Sequence, residues 1–107
     1  MQVPIRSVKD LGLALRAVRR SQKVRLEDMA ALTGVSKQFA SDVELGKDTV
    51  RLGLVLKVLG EMGLRVSVDI PDQSAPELAL LQTKLVSHVD KKTRTQKKAS
   101  PSAAGQG

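Results

Sequence analysis

The strongest constraint on the fold is a pair of short helical patterns, at about 26–32 and 37–45, with only a tight connection between them. Gly34 lies in that connection, where it can adopt a positive φ without steric cost. Because the connection is so short, the two helices must cross steeply, and the small side chain of Ala30 suits the point where they approach. The sequence therefore predicts a two-helix unit that turns at a glycine.

The second helix of this unit has two faces of unlike chemistry. Ser36 precedes it as an N-cap whose oxygen can accept a backbone N–H, and Gly46 ends it. The residues predicted to face inward are Val35, Ala40 and Val43. The residues predicted to face outward are Ser36, Lys37, Gln38, Ser41 and Asp42. One face of the helix is therefore suited to a core, and the other is suited to a polar ligand.

Two further helices and one strand follow from the pattern of apolar residues. One helix begins at Ser7 and ends near Ser21, and another spans about Arg51 to Met62, each with apolar residues at helical spacing. The period then changes, because apolar and polar residues alternate over 64–70, which predicts a half-buried β-strand. The apolar positions of that strand are Leu64, Val66, Val68 and Ile70.

The predicted strand requires a partner, because its backbone N–H and C=O groups cannot bond to one another. No second strand is evident in the sequence. The simplest partner is the same strand of a second copy, paired antiparallel about a two-fold axis, which predicts a homodimer. The alternative is that residues 64–70 pack against the helices of their own chain.

Composition narrows the fold class and the kind of partner. Of the 107 residues 41% are apolar, but Phe39 is the one aromatic residue, which favours a mainly α domain of packed helices. Lysine and arginine number 18 against 11 acidic residues, and the resulting net charge of +7 favours a polyanionic partner such as nucleic acid.

Several other classes of protein are disfavoured. The absence of cysteine excludes disulfides and thiolate metal sites. His88 is the only histidine and has no second ligand at metal spacing, and no catalytic dyad is evident, so we expect no metal, no cofactor and no enzyme activity. No apolar run approaches the roughly 20 residues of a membrane span, and no signal peptide is evident, so we expect a cytoplasmic protein.

The chain is predicted to consist of a domain and a tail. Residues 1–72 hold the helices and the strand, and residues 73–107 form the tail. Within the tail, 76–89 has the spacing of a helix, whereas 90–107 is basic and then rich in small and polar residues, which predicts disorder. The basic end is either a solvated segment or an additional contact to DNA or to a protein partner.

The outward face of the helix at 37–45 suits the major groove of DNA, which admits one α-helix. Gln38 can pair with adenine through two hydrogen bonds, and Lys37 can donate to guanine or to a phosphate. Asp42 repels phosphate and would help only by accepting a hydrogen bond from cytosine. Phe39 packs either on protein or on a thymine methyl group, and protein packing is the favoured alternative.

Several stretches of the sequence resemble a known family. The stretches Met29-Ala30, Gly34-Val35-Ser36 and Glu44-Leu45-Gly46-Lys47 are similar to the helix-turn-helix of Xre/Cro-type repressors. The stretch from Thr49 to Leu59, with Gly63-Leu64 and the strand, resembles HipB-type antitoxins. The resemblance covers roughly Lys9 to Ile70.

The resemblance implies a fold and a function. The fold would be a lambda-repressor-like bundle of four or five helices with one C-terminal strand that pairs across a homodimer. The dimer would bind a palindromic operator in double-stranded DNA and repress its own operon. Its protein partner would be a HipA-like kinase toxin, which it neutralises. The alternative is a standalone Xre-type repressor of a phage or of a restriction system.

The resemblance also implies roles for individual residues. The positions that contact bases and phosphates are Ser36, Lys37, Gln38 and Ser41, with Lys47 near phosphate. An ion pair would join Arg19 to Glu44 and is favoured over the alternative that both are solvated surface charges. One departure from the family is Leu26, where a glutamine that donates to phosphate is usual, so that contact is either lost or supplied by Arg25.

Overall fold

The computed structural model describes residues 1–92, with side chains described as far as residue 85. It contains α1 (Val8–Ser21), α2 (Leu26–Thr33), α3 (Lys37–Leu45), α4 (Leu52–Glu61), a short 3-10 helix (Asp72–Ser74) and α5 (Ala75–Lys92). The predicted mainly α architecture of four or five helices is confirmed for these residues, and each predicted helix bound in the first 63 residues agrees within one residue.

The chain divides into two compact units, Met1–Ser67 and a second that begins at Val68. The first unit contains α1 to α4, and the second contains the 3-10 helix and α5. No helix among the described residues is long and apolar enough to cross a membrane.

The core of the first unit is aliphatic. Its largest fully buried side chains include Leu15 from α1, Met29 from α2 and Leu59 from α4. Phe39 is half-buried and packs against this core, which agrees with the favoured sequence-based alternative. Each of the four helices contributes apolar side chains to one small core, and α3 packs chiefly against α1 and α2.

Local sequence explains where α1 and α3 begin. The Ser7 hydroxyl caps α1 by accepting the N–H of Asp10 at 3.2 Å, and the Asp10 carboxylate accepts the N–H of Arg6 at 2.9 Å. Ser36 caps α3 by accepting the N–H of Phe39 at 2.9 Å. Each cap satisfies an N–H that the first turn of a helix leaves without an intrahelical partner.

The predicted strand at 64–70 is absent from the single chain. The segment has no regular secondary structure, and the described residues 1–92 contain no other strand that could pair with it. Leu64 packs against the core of the first unit, whereas Val66 and Val68 are 54% and 80% exposed. The alternative of packing on the chain's own helices therefore holds for Leu64 alone.

The tail differs from its predicted bounds. Helix α5 runs from Ala75 to Lys92, so residues 90–92 are helical where disorder was predicted. The leucines whose spacing predicted this helix are exposed at each described position: Leu78, Leu81 and Leu85. The remainder of the predicted disordered end, 93–107, lies outside the described residues.

Candidate nucleic-acid interface

The turn between α2 and α3 sets the direction of α3. Gly34 has φ +74°, a left-handed conformation in which a side chain would be strained. The N–H of Val35 donates to the carbonyl of Ala30 at 3.0 Å, which closes the end of α2 before α3 begins. The glycine turn that the sequence predicts is therefore present, and three residues separate the end of α2 from the start of α3.

The inner face of α3 is buried against α1 and α2. Ala40 and Val43 are 0% and 2% exposed. Gly12 of α1 lies so close to α3 that a Cβ atom there would stand 2.5 Å from the carbonyl oxygen of Val43 and 2.6 Å from that of Glu44. Such separations are sterically forbidden, so only glycine at this position permits the observed approach of the two helices.

A buried ion pair joins α1 to α3. The Arg19 guanidinium donates to both carboxylate oxygens of Glu44, from Nε to Oε2 at 2.6 Å and from Nη2 to Oε1 at 2.9 Å. It also donates from Nη1 to the carbonyl of Val24 at 2.9 Å. The hydrogen bond to Glu44 raises the pKa of Arg19 above its usual value. The Glu44 side chain is only 4% exposed, so these are not two solvated surface charges.

Two further contacts between helices of this unit were not predicted from the sequence. Arg16 places its Nε 3.6 Å from Oε1 of Glu44, so two arginines face one buried carboxylate. The Lys57 ammonium of α4 donates to the carbonyl of Thr33, at the C-terminal end of α2. The spacing of Arg16 and Arg19 on α1 could have suggested the first contact, but a backbone carbonyl leaves no signal in the sequence.

The outer face of α3 remains accessible. Ser36, Lys37 and Gln38 are exposed, and Ser41 and Asp42 are half-buried. The Ser36 hydroxyl is occupied by the capping hydrogen bond, but it retains capacity for a further one. The structure therefore brings the five predicted outward residues to one polar surface at the N-terminal part of α3 and along its exposed side.

Asp42 is engaged by two neighbours within this surface. The Gln38 amide donates from Nε2 to Oδ1 of Asp42 at 2.8 Å. The Lys47 ammonium lies 3.5 Å from the same oxygen. The awkward negative charge that the sequence places on this face is therefore compensated inside the protein.

Arg25 lies at the start of α2, the position from which it was predicted to replace a phosphate contact. It donates from Nε to Oδ2 of Asp28 at 2.8 Å and lies 3.8 Å from Glu27, yet its side chain stays 71% exposed. The hydrogen bond from Arg25 lowers the pKa of Asp28 below its usual value. A phosphate could reach this guanidinium only in competition with two carboxylates.

No cluster of histidine, aspartate or glutamate that could hold a metal ion occurs within the described part of the chain. The chemistry available at the surface of α3 is hydrogen bonding and charge. Its donors are the Lys37 ammonium, the Gln38 amide and the hydroxyl groups of Ser36 and Ser41.

Comparison with known proteins identifies the class. A helix-turn-helix family model matches residues 15–68, which is half of the chain and includes α2, α3 and α4 entirely. The chain is also 35% identical over 69 residues to the uncharacterised HTH-type transcriptional regulator y4mF of Sinorhizobium fredii, an alignment that covers 64% of this chain and 91% of that protein. The chain therefore belongs to the helix-turn-helix family of Xre/Cro type.

Proposed function

We propose that this protein is a sequence-specific DNA-binding transcriptional repressor that inserts α3 into the major groove. The observation that supports this most directly is the accessibility of the polar face of α3 while its other face is buried. The class of its S. fredii relative, a transcriptional regulator by name, agrees with that function. Because the chromosome is the ligand, the proposed location is the cytoplasm.

The outer residues divide into two proposed roles. Lys37, Gln38 and Ser41 contact base edges, since they project from the helix that enters the groove. Arg25 and Ser36 are the N-cap residues of α2 and α3, where side chains and free backbone N–H groups can both meet phosphates. Lys47 follows the C-terminal end of α3 and offers its ammonium group. Phosphate contacts provide affinity on any sequence, whereas base contacts provide the preference for an operator.

We propose that the repressor acts as a homodimer through residues 64–70. The exposed side chains of Val66, Val68 and Ile70 alternate with polar residues, and the backbone between them has no strand partner within the described residues. Antiparallel pairing with a second copy would satisfy that backbone and cover those side chains. A two-fold dimer presents two copies of α3 and so binds a palindromic site.

The test of DNA binding is affinity for the promoter of the protein's own operon, measured across a series of salt concentrations and compared with scrambled duplex. We expect specific binding whose log affinity falls linearly with log salt, with a slope of about −0.9 for each phosphate contact. The double variant Lys37→Ala with Gln38→Ala should lose about 1–3 kcal/mol of sequence discrimination for each lost bidentate contact. Equal affinity of the unaltered protein for promoter and scrambled duplex would refute specific recognition.

The test of dimerisation is the mass in solution by analytical ultracentrifugation. Val66→Asp with Val68→Asp should give a monomer, because charges would enter the proposed interface. Ser67→Asp, on the opposite face of the same segment, is the matched control and should leave the dimer intact. A monomeric unaltered protein, or a double variant that stays dimeric, would rule out this interface.

A second candidate function is that of an antitoxin that binds a HipA-like kinase toxin. It rests on the resemblance of residues 49–70 to HipB-type antitoxins and on the exposed apolar side chains of α5, which a partner protein would cover. Co-purification with a kinase encoded by the neighbouring gene, abolished by Leu81→Lys with Leu85→Lys, would support it. Full operator binding without any such complex would favour the standalone repressor of a phage or restriction system.

A further inference from the structure

Asp42 lies one helical turn after Gln38 on α3, and the two side chains are joined by the hydrogen bond from Nε2 to Oδ1 at 2.8 Å. The Asp42 side chain is 20% exposed, and the Lys47 ammonium stands 3.5 Å from the same oxygen. The N–H of Lys47 also donates to the carbonyl of Asp42 at 3.0 Å, which holds Lys47 beside it. Asp42 is therefore restrained from two sides.

The chemistry of the pair determines which way the Gln38 amide is turned. An ionised carboxylate is only an acceptor, so the Gln38 NH₂ group must face Asp42, and its carbonyl oxygen cannot. One N–H of Gln38 is thus committed to Asp42. The groups left for a base are one carbonyl oxygen and one N–H.

Those two remaining groups match one base edge in the major groove. Adenine presents a donor at N6 and an acceptor at N7, which a carbonyl oxygen and an N–H satisfy together. Guanine presents two acceptors, O6 and N7. A glutamine can satisfy both guanine acceptors only by donating both of its N–H groups, and that would require Gln38 to give up its hydrogen bond to Asp42.

We infer that Asp42 is a positioning residue that orients the Gln38 amide so that it selects adenine over guanine. This inference rests on the proposed DNA-binding function. Asp42 does not contact the base itself, and Lys47 offsets its charge beside the phosphates. The penalty against guanine is the loss of a hydrogen bond to a carboxylate that the DNA has enclosed.

The experiment selects binding sites from a library of duplexes with a randomised central segment, using the unaltered full chain, Gln38→Ala and Asp42→Asn. The unaltered protein should show one position that prefers adenine, and Gln38→Ala should abolish the preference there. Asp42→Asn should lower the ratio of adenine to guanine at that position by about fivefold or more, because asparagine can donate to Gln38 as well as accept.

Two controls separate positioning from charge and from stability. Asp48→Asn removes an exposed carboxylate near the end of α3 and should leave the ratio unchanged. Asp42→Asn in the Gln38→Ala background should not alter the preference at that position. The Nε2 proton resonances of Gln38, measured by NMR without DNA, should shift in Asp42→Asn and stay unchanged in Asp48→Asn.

The outcomes distinguish this inference from the function on which it rests. If the unaltered protein selects no sequence at all, the proposed DNA-binding function fails. If it selects a sequence but Asp42→Asn keeps the ratio of adenine to guanine, or Gln38→Ala affects no position, only the positioning role of Asp42 is overturned.

Discussion

The nine residues of α3 form an inner and an outer face, and the two faces make different kinds of contact. The inner face is fixed by contacts with distant parts of the chain, since Ala40 and Val43 are buried and Glu44 is paired with Arg19 of α1. The hydrogen bonds and ion pairs of the outer face join residues close in sequence, such as Asp42 with Gln38 and Lys47. Substitutions on the inner face should therefore change stability, and substitutions on the outer face should change recognition.

The largest effect is expected from Glu44→Ala. The substitution removes the carboxylate from Arg19, whose side chain is only 13% exposed, and a charge left unpaired in such a site costs about 3–5 kcal/mol. Urea unfolding followed by circular dichroism measures this loss. Glu27→Ala, an exposed carboxylate on α2, is the control and should change stability by less than about 1 kcal/mol. Equal effects of the two substitutions would show that the buried pairing of Glu44 adds no more stability than an exposed carboxylate does.

Gly12→Ala tests the close approach of α1 to the inner face. A methyl group at this position would meet two backbone carbonyls of α3, which cannot turn aside as a flexible side chain could. We expect a loss of about 1–3 kcal/mol in the free energy of unfolding. Gly53→Ala, on α4 where the added Cβ would meet no other part of the protein within 4 Å beyond its own helix backbone and chain neighbours, is the control and should be neutral or stabilising. A stabilising effect at Gly12 would contradict the observed helix separation.

Ser36 has a part in both properties, because it caps α3 and is also exposed on the proposed DNA-binding face. Ser36→Ala removes the cap of α3 and should cost about 1 kcal/mol of stability. Ser36→Asp keeps a capping oxygen, so stability should be retained, while the added negative charge weakens DNA binding. Thermal unfolding and duplex affinity, measured on both variants, separate the two roles. Loss of stability in both variants would show that the Ser36 hydroxyl does not stabilise the protein by capping α3.

The smallest effect on stability is expected from loss of the ion pair between Arg25 and Asp28, at the exposed start of α2. Because the pKa of Asp28 is lowered in the folded protein, the pair contributes stability above the ordinary pKa of an aspartate. That contribution disappears as the pH falls through the lowered pKa. NMR titration should show the pKa of Asp28 rising toward its usual value in Arg25→Ala. An unchanged titration curve would show that the pair is not formed in solution.

Much of the fold could be predicted from local pattern. The apolar spacing placed α1 to α4, and the caps at Ser7 and Ser36 marked two of their starts, because these features depend on residues within one helical turn. The separation of inward and outward residues on α3 followed from the same periodicity. The hydrogen bond between Gln38 and Asp42 is equally local, yet its meaning required knowing that Lys47 restrains the same carboxylate.

The segment at 64–70 shows where periodicity stops being informative. Alternation of apolar and polar residues identifies a chain suited to pairing, but a strand exists only when a second backbone supplies its hydrogen bonds. Within the described residues of the single chain no such backbone is available, and the segment has no regular structure. The pattern therefore supports a prediction about the dimer rather than about the monomer.

The sequence by itself determined the positions of the helices, the glycine turn at Gly34 and the polar character of one face of α3, since all three arise from neighbouring residues. The tertiary structure alone decided which partners meet across the core: Arg16 at Glu44, Gly12 against two carbonyls of α3, and Lys57 at the end of α2. Those contacts depend on where helices cross, and two of the three involve backbone atoms that every residue has.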